Sequence, residues 1–344
     1  MRSRKVFTII FVVTVILLAT FSFYFYQMVK SPNFQVQKEA GYLYIPQEAT
    51  FRTVLDSLKA KDMIHDITSF AFLSKLMKYQ ENVRPGRYLI PTDATNMEVV
   101  VLLRSGQQVP VQLQFSALRT KEQLAARISR QVALSEEALL NALNDPTVAQ
   151  KYGFDTTTFM CMFLPNTYEV YWSTSLEQFL ERMAEEYKKY WTTERVMEAE
   201  AVGLTPIEVT ILASIVQAET AQEDEMPTIA GVYINRLERD QLLQADPTVI
   251  FAVGDFTIKR VLNVHLEVDS PYNTYRYKGL PPGPINLPAM AALNAVLNYE
   301  KHDYVYFCAK EDFSGYHNFA KSYQVHLQNA RRYQRALQQR LQEN

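Results

Sequence analysis

Thr205-Pro206-Ile207-Glu208-Val209-Thr210-Ile211-Leu212-Ala213-Ser214-Ile215-Val216-Gln217-Ala218-Glu219 is the stretch around which the rest of the chain is read. It opens as a helix start. Thr205 caps, Pro206 takes the first helical position, where its missing N–H is no loss, and Glu208 completes a capping box. At about 100° per residue, Ile215 falls roughly 40° to one side of Glu219 and Leu212 roughly 20° to the other. The carboxyl therefore projects from an apolar stripe. Desolvation disfavours the charged form of such a group, so it can be protonated near neutral pH and act as a general acid. Two other readings stand beside this one. The helix could end near Ala218 and leave Glu219 exposed, or Glu219 could pair with an arginine such as Arg236. Glu223, Asp224 and Glu225 follow closely and read as a solvated loop.

Upstream, Leu176 to Val202 reads as one long charged helix with a solvated face. A strand at Val109–Phe115, a helix over Leu124–Ile128, a Ser135-capped helix to Leu143 and the segment Phe163–Tyr168 precede it. Earlier still lies a compact module. Tyr42–Ile45 is a strand, and Thr50 opens a helix with Phe51, Val54, Leu55 and Leu58 at helical spacing. A second helix follows Asp66, and Gly86–Ile90 closes a β-α-α-β pattern. Thr95 and Glu98 then cap a helix that Gly106 stops. Downstream, Ala320–Gln342 reads as a polar helix. The fold class expected is α+β, with boundaries at 1–30, 41–107 and 108–344.

The N-terminus is membrane-like. Arg2, Arg4 and Lys5 precede an uncharged run from Val6 to Tyr26, and about 20 apolar residues cross a ~30 Å hydrocarbon core. The run ends in Phe23-Tyr24-Phe25-Tyr26, an aromatic belt, and is longer than a signal-peptide core and without an A-x-A cleavage site. A bilayer anchor through residues 6–26 follows, with the basic end cytoplasmic and a spacer, Ser31–Ala40, leading outward. The 35 basic and 37 acidic residues leave a net charge of -2, which gives no footprint for nucleic acid. Apolar residues at 48% and charged residues at 21% suit globular domains. Cys161 and Cys308 sit in apolar surroundings and read as buried thiols, with one disulfide between them as the alternative. No His-Glu-x-x-His or Gly-x-Ser-x-Gly motif is present, so neither metal, cofactor nor a serine nucleophile is expected.

After Glu219 come ordered polar-aromatic clusters: Tyr233-Ile234-Asn235-Arg236, Leu243-Gln244-Ala245-Asp246-Pro247-Thr248, Ser270-Pro271-Tyr272-Asn273-Thr274-Tyr275, Gly279-Leu280-Pro281-Pro282-Gly283-Pro284, Tyr304-Val305-Tyr306-Phe307 and His317-Asn318-Phe319. Each alone has a plain explanation as turn chemistry or packing, and a lone His317 reads as structural. Together with Ala213–Thr220 they resemble the endolytic murein transglycosylases (the MltG or YceG-like family) over nearly the whole chain. The resemblance implies a LysM-like fold for the β-α-α-β module and an inner-membrane, single-pass enzyme facing the periplasm. It implies cleavage of the β-1,4 bond between N-acetylmuramic acid and N-acetylglucosamine within peptidoglycan strands, leaving 1,6-anhydro ends, with Glu219 as the catalytic acid and then base. Gln244, Asp246, Thr248, Asn273 and Tyr275 match motifs expected to line the cleft and bind substrate, and peptidoglycan synthases are candidate partners. Gln217 stands where several relatives carry a second acid. The competing readings are a muramidase that uses Asp246 as its second acid, and a noncatalytic wall-binding scaffold.

Overall fold

The computed structural model describes residues 2–36 and 41–343; the end of the expected spacer, 37–40, lies outside them. The chain divides into two units. The first comprises 1–113 with 131–133 and 168–174, and the second 114–130, 134–167 and 175–344.

In the first unit, α1 (Arg2–Lys30) is a 29-residue helix whose apolar side chains are exposed, the reverse of a soluble core helix. It is the one helix among the described residues that is, by itself, both long and apolar enough to cross a membrane. The chain then runs β1 (Tyr42–Ile45), α2 (Phe51–Ala60), α3 (Ile67–Leu76), β2 (Gly86–Leu89) and α4 (Asn96–Ser105). β1 and β2 pair antiparallel, with Tyr42 opposite Leu89 and Ile45 opposite Gly86. Leu43, Ile45, Val54, Leu58, Phe70 and Tyr88 form the core. The local signals act where the sequence puts them. Thr50 and Thr95 cap α2 and α4, Asp66 accepts the Thr68 and Ser69 amides at the start of α3, and Gly106 ends α4 at φ 74°. Residues 31–36 are no spacer. Phe34 is buried, and the Asn33 amide donates to Asn96 Oδ1 at 2.7 Å and to the Asp66 carbonyl at 2.8 Å. Asn96 in turn donates to the Met28 carbonyl at 2.9 Å, inside the last turn of α1.

The division between units falls within β3 (Val111–Phe115) and again within β4 (Asn166–Val170). Between them lie α5 (Lys121–Ser129), α6 (Glu136–Asn144) and α7 (Pro146–Lys151). The expected single helix over Leu176–Val202 is two helices, α8 (Leu176–Tyr190) and α9 (Thr193–Ala201). Trp191 turns out of helical geometry at ψ 69°, and Thr192 becomes an N-cap in extended conformation. Nor is α8 only solvated, because Phe179, Leu180, Met183 and Ala184 bury one face.

α10 (Pro206–Glu219) is the centre of the second unit. Val209 to Val216 are all buried, so the helix is enclosed on every side rather than along one stripe. Around it pack α11 (Met226–Glu238), α12 (Asp246–Val253) and α14 (Met290–Leu297), with the short α13 (Asn263–Leu266) against α12. β5 (Tyr306–Ala309) and β6 (His317–Ala320) form an antiparallel hairpin, Tyr306 opposite Ala320, covered by α15 (Tyr323–Glu343). Both cysteines are free thiols. Cys161 is buried, whereas Cys308 on β5 is only half-buried, so neither the disulfide nor a second core thiol is found.

Candidate active site

The helix start of α10 is built as its residues dictate. Glu208 accepts the Thr205 amide at 2.8 Å and the Thr205 hydroxyl accepts the Glu208 amide at 3.3 Å. Mid-helix, Ser214 ties α10 to a later segment: its hydroxyl accepts the Ile285 amide at 3.0 Å, and its carbonyl accepts Asn286 Nδ2 at 2.7 Å. Gln217 continues that clamp. Its Nε2 donates to Asn286 Oδ1 at 3.2 Å and its Oε1 accepts the Ala289 amide at 2.5 Å. A carboxylate at this position could accept but not donate. The Gln217 amide, which does both, therefore holds the 285–289 segment against α10.

Glu219 is the last residue of α10, part-buried, and inside the helix rather than beyond it. The Tyr233 hydroxyl, from α11, donates to its Oε1 at 2.6 Å. Burial pushes the carboxyl pKa up from 4.5 to about 7, with the Tyr233 hydrogen bond pulling down, Asp246 pushing up and Arg236 pulling down. Burial and the neighbouring carboxylate both favour the neutral acid. Arg236 does not pair directly with Glu219. It is buried, and it donates from Nε to the Val305 carbonyl at 2.6 Å and from Nη1 to the Leu243 carbonyl at 2.7 Å. It holds loops and lends a distant positive charge.

A cavity of about 340 Å³ joins these groups; Glu219, Arg236, Gln244, Asp246 and Tyr275 line it, with the β5–β6 hairpin and α15 adding Tyr306, Cys308, His317 and His326. The Tyr275 hydroxyl donates to Asp246 Oδ1 at 2.5 Å, and burial raises the tyrosine's own pKa. Gln244 sits at φ 50°, a left-handed conformation uncommon for a residue with a Cβ, and its backbone N–H donates to the Thr274 carbonyl at 3.1 Å.

The other two residues expected in the cleft lie behind it. Thr248 is fully buried, its hydroxyl donating to the Ala245 carbonyl at 2.7 Å and meeting the Thr274 hydroxyl at 2.8 Å. Asn273 is also fully buried. Its Nδ2 donates to the Leu266 and Val268 carbonyls, and its Oδ1 accepts the Tyr275 amide. Thr248 thus joins the two segments that present Gln244, Asp246 and Tyr275, and Asn273 braces the second of them from within.

Two groups beside the site had no role in the sequence reading. Tyr233 stands 14 positions after Glu219 on another helix, a distance no local pattern encodes. Glu225 is not in a solvated loop: it is 6% exposed and bonded to His317 at 2.7 Å, while Glu223 and Asp224 are exposed as expected. A buried acid within a run of acids leaves no signature in composition. A second cavity of about 520 Å³ is lined by Ala218 and Thr220, the chain neighbours of Glu219, by Pro247 and by Phe251, Phe256 and Arg119.

The chain as a whole is similar to known proteins. The endolytic murein transglycosylase of Bacillus subtilis (strain 168) is 29% identical over 284 residues, spanning 78% of this chain and 78% of that protein. The endolytic murein transglycosylase of Streptococcus pneumoniae (strain D39) is 25% identical over 342 residues, 89% of this chain but 61% of its own length. A crystal structure of a yceG-like protein from Listeria monocytogenes superposes with a TM-score of 0.57 at 27% identity, covering 83% of this chain and 97% of that one. The YceG-like family model matches residues 43–332, from the first strand to within the last helix, and the chain belongs to that family.

Proposed function

We propose that this protein is an endolytic lytic transglycosylase of peptidoglycan, cutting the β-1,4 bond between N-acetylmuramic acid and N-acetylglucosamine within a strand and leaving a 1,6-anhydro end. The observation that carries the reading is a part-buried carboxyl, Glu219, with a pKa near 7, on the wall of a polar cavity. The names of the relatives from Bacillus and Streptococcus supply the substrate class.

Protonated Glu219 donates to the leaving glycosidic oxygen as the muramic ring becomes oxocarbenium-like. The C6 hydroxyl of the same sugar then attacks the anomeric carbon. Because the nucleophile belongs to the substrate, proximity takes the place of the second carboxylate that ordinary glycosidases use. Gln244, Asp246 and Tyr275 bind hydroxyl and acetamido groups, while Thr248 and Asn273 shape the loops that hold them. The β-α-α-β module is LysM-like and binds glycan. Residues 6–26 span the inner membrane with the N-terminus in the cytoplasm, which places the enzyme beside newly made strands and their synthases.

The presence of Asp246 beside Glu219 supports one rival. Asp246 could activate water, giving a muramidase and reducing ends instead of anhydro ends. Mass spectrometry of digested strands separates the two by one water per cut. Anhydro ends are expected from the wild type. Glu219→Gln is expected to lower kcat by about 10³-fold or more with the fold retained. Retained activity in that variant would count against any enzymatic reading built on Glu219.

A further inference from the structure

Glu225 and His317 form a second polar device on the wall of the Glu219 cavity. Both carboxylate oxygens of the buried Glu225 turn to His317. Oε1 accepts its backbone N–H and Oε2 accepts from Nδ1, each at 2.7 Å. The Thr220 hydroxyl, at the end of α10, stands 3.5 Å from the same Oε2. A carboxylate only accepts, so Nδ1 carries a proton, and in the neutral form of such a ring Nε2 keeps its lone pair. Phe307 packs edge-on to the ring at 5.2 Å between centroids and helps to fix its plane. Nε2 has no hydrogen-bond partner among the described residues, and His317 lines the cavity. A buried acid that orients a histidine, with the far nitrogen left open toward a site, is the arrangement by which proteins hold a proton acceptor ready.

We propose that His317, oriented by Glu225, accepts the proton of the attacking C6 hydroxyl, and is thus a second catalytic residue; this rests on the transglycosylase reading above. As the bond from C1 to the leaving oxygen breaks, its electron pair goes to that oxygen, which takes the proton of Glu219. The C6 oxygen gives a pair to C1 and closes the anhydro ring, and its proton passes to Nε2. Glu225 stabilises the imidazolium so formed. That proton then returns through water to the Glu219 carboxylate, and both groups regain their starting states. Glu219 need not exchange roles while the sugar is still bound.

The test uses the full chain in detergent and un-cross-linked glycan strands, comparing wild type, His317→Ala, His317→Gln and Glu225→Gln. The expected result for His317→Ala is a kcat lower by about 10²-fold, KM within about threefold and an unchanged melting temperature. Added imidazole, free to enter the vacated space, is expected to restore at least about tenfold of that loss, an effect a structural role would not produce. Glu225→Gln, acting through the ring, is expected to lose about tenfold, and His317→Gln to remain as impaired as His317→Ala. A His317→Ala kcat within twofold of wild type, with anhydro ends still formed and Glu219→Gln still inactive, overturns the assignment and returns the base role to Glu219. So does a loss that imidazole leaves untouched and His317→Gln repairs. Absence of anhydro ends from the wild type overturns this proposal together with the reading beneath it.

Discussion

Glu219 is held in its less stable form whenever it is charged, and two consequences follow at the residue scale. As a general acid it must be protonated, so kcat/KM is expected to fall as pH rises through about 7. Stability follows the same group. Its folded pKa of about 7 lies above the ordinary 4.5, so between those values the native state holds a proton that the unfolded chain has lost. Stability is therefore present in full below about 4.5 and declines as pH rises to about 7. At 1.36 kcal/mol per pKa unit this amounts to at most about 3 kcal/mol, and Glu219→Gln should abolish that slope in denaturant melts taken across the window. Tyr233→Phe removes the hydrogen bond that pulls the carboxyl pKa down. Its alkaline limb should move to higher pH, which a rate–pH profile reads directly. The oddity of Glu219 was visible in the sequence because helical spacing set it among Leu212 and Ile215. Its partner Tyr233 was not, since the contact depends on how α11 crosses α10.

Elements were legible wherever their ends carry chemistry. The capping boxes at Thr95 and Thr205 and the glycine at 106 stop and start helices as short-range rules require. The α8–α9 break was hidden because Trp191 and Thr192 carry no glycine or proline; burial of Tyr190 and Trp191 accompanies it, and tertiary packing prevails over helical periodicity. Gly231 shows a tighter constraint inside α11. A Cβ there would stand 2.4 Å from the Glu300 carbonyl and 2.7 Å from His302 Nε2. Gly231→Ala should thus cost about 1–3 kcal/mol despite the better helix propensity of alanine, a sign that chemical denaturation can check. Gly283, read as turn chemistry, is likewise a close approach: a Cβ there would stand 2.4 Å from the Thr157 carbonyl. The cleft motifs separate on the same grounds: Gln244, Asp246 and Tyr275 reach the cavity, while Thr248 and Asn273 satisfy backbone groups beneath them.

At the scale of the molecule, α+β architecture and an apolar N-terminal helix followed from hydrophobic patterning, which records burial directly. The junction after the helix did not. Ser31–Ala40 reads as a short spacer because nothing local announces that Asn33 and Asn96 will find each other across 63 positions. An insertion of about 20 Gly/Ser residues between Lys30 and Ser31 should leave activity on soluble strands unchanged. If the helix spans the membrane, the same insertion should broaden the lengths of strands released from membrane-bound polymer, which electrophoretic sizing can measure.

The bonded junction sets the geometry of encounter. A body on a slack leash explores a hemisphere, and meets whatever is abundant within its radius. One whose helix end is fastened to it loses most of that freedom and keeps sideways diffusion and rotation about the bilayer normal. If α1 spans a bilayer, the first unit patrols a thin sheet of space beside it. What it meets is decided by how far a strand stands from the lipid surface, so the fastening converts height above the membrane into a criterion of selection.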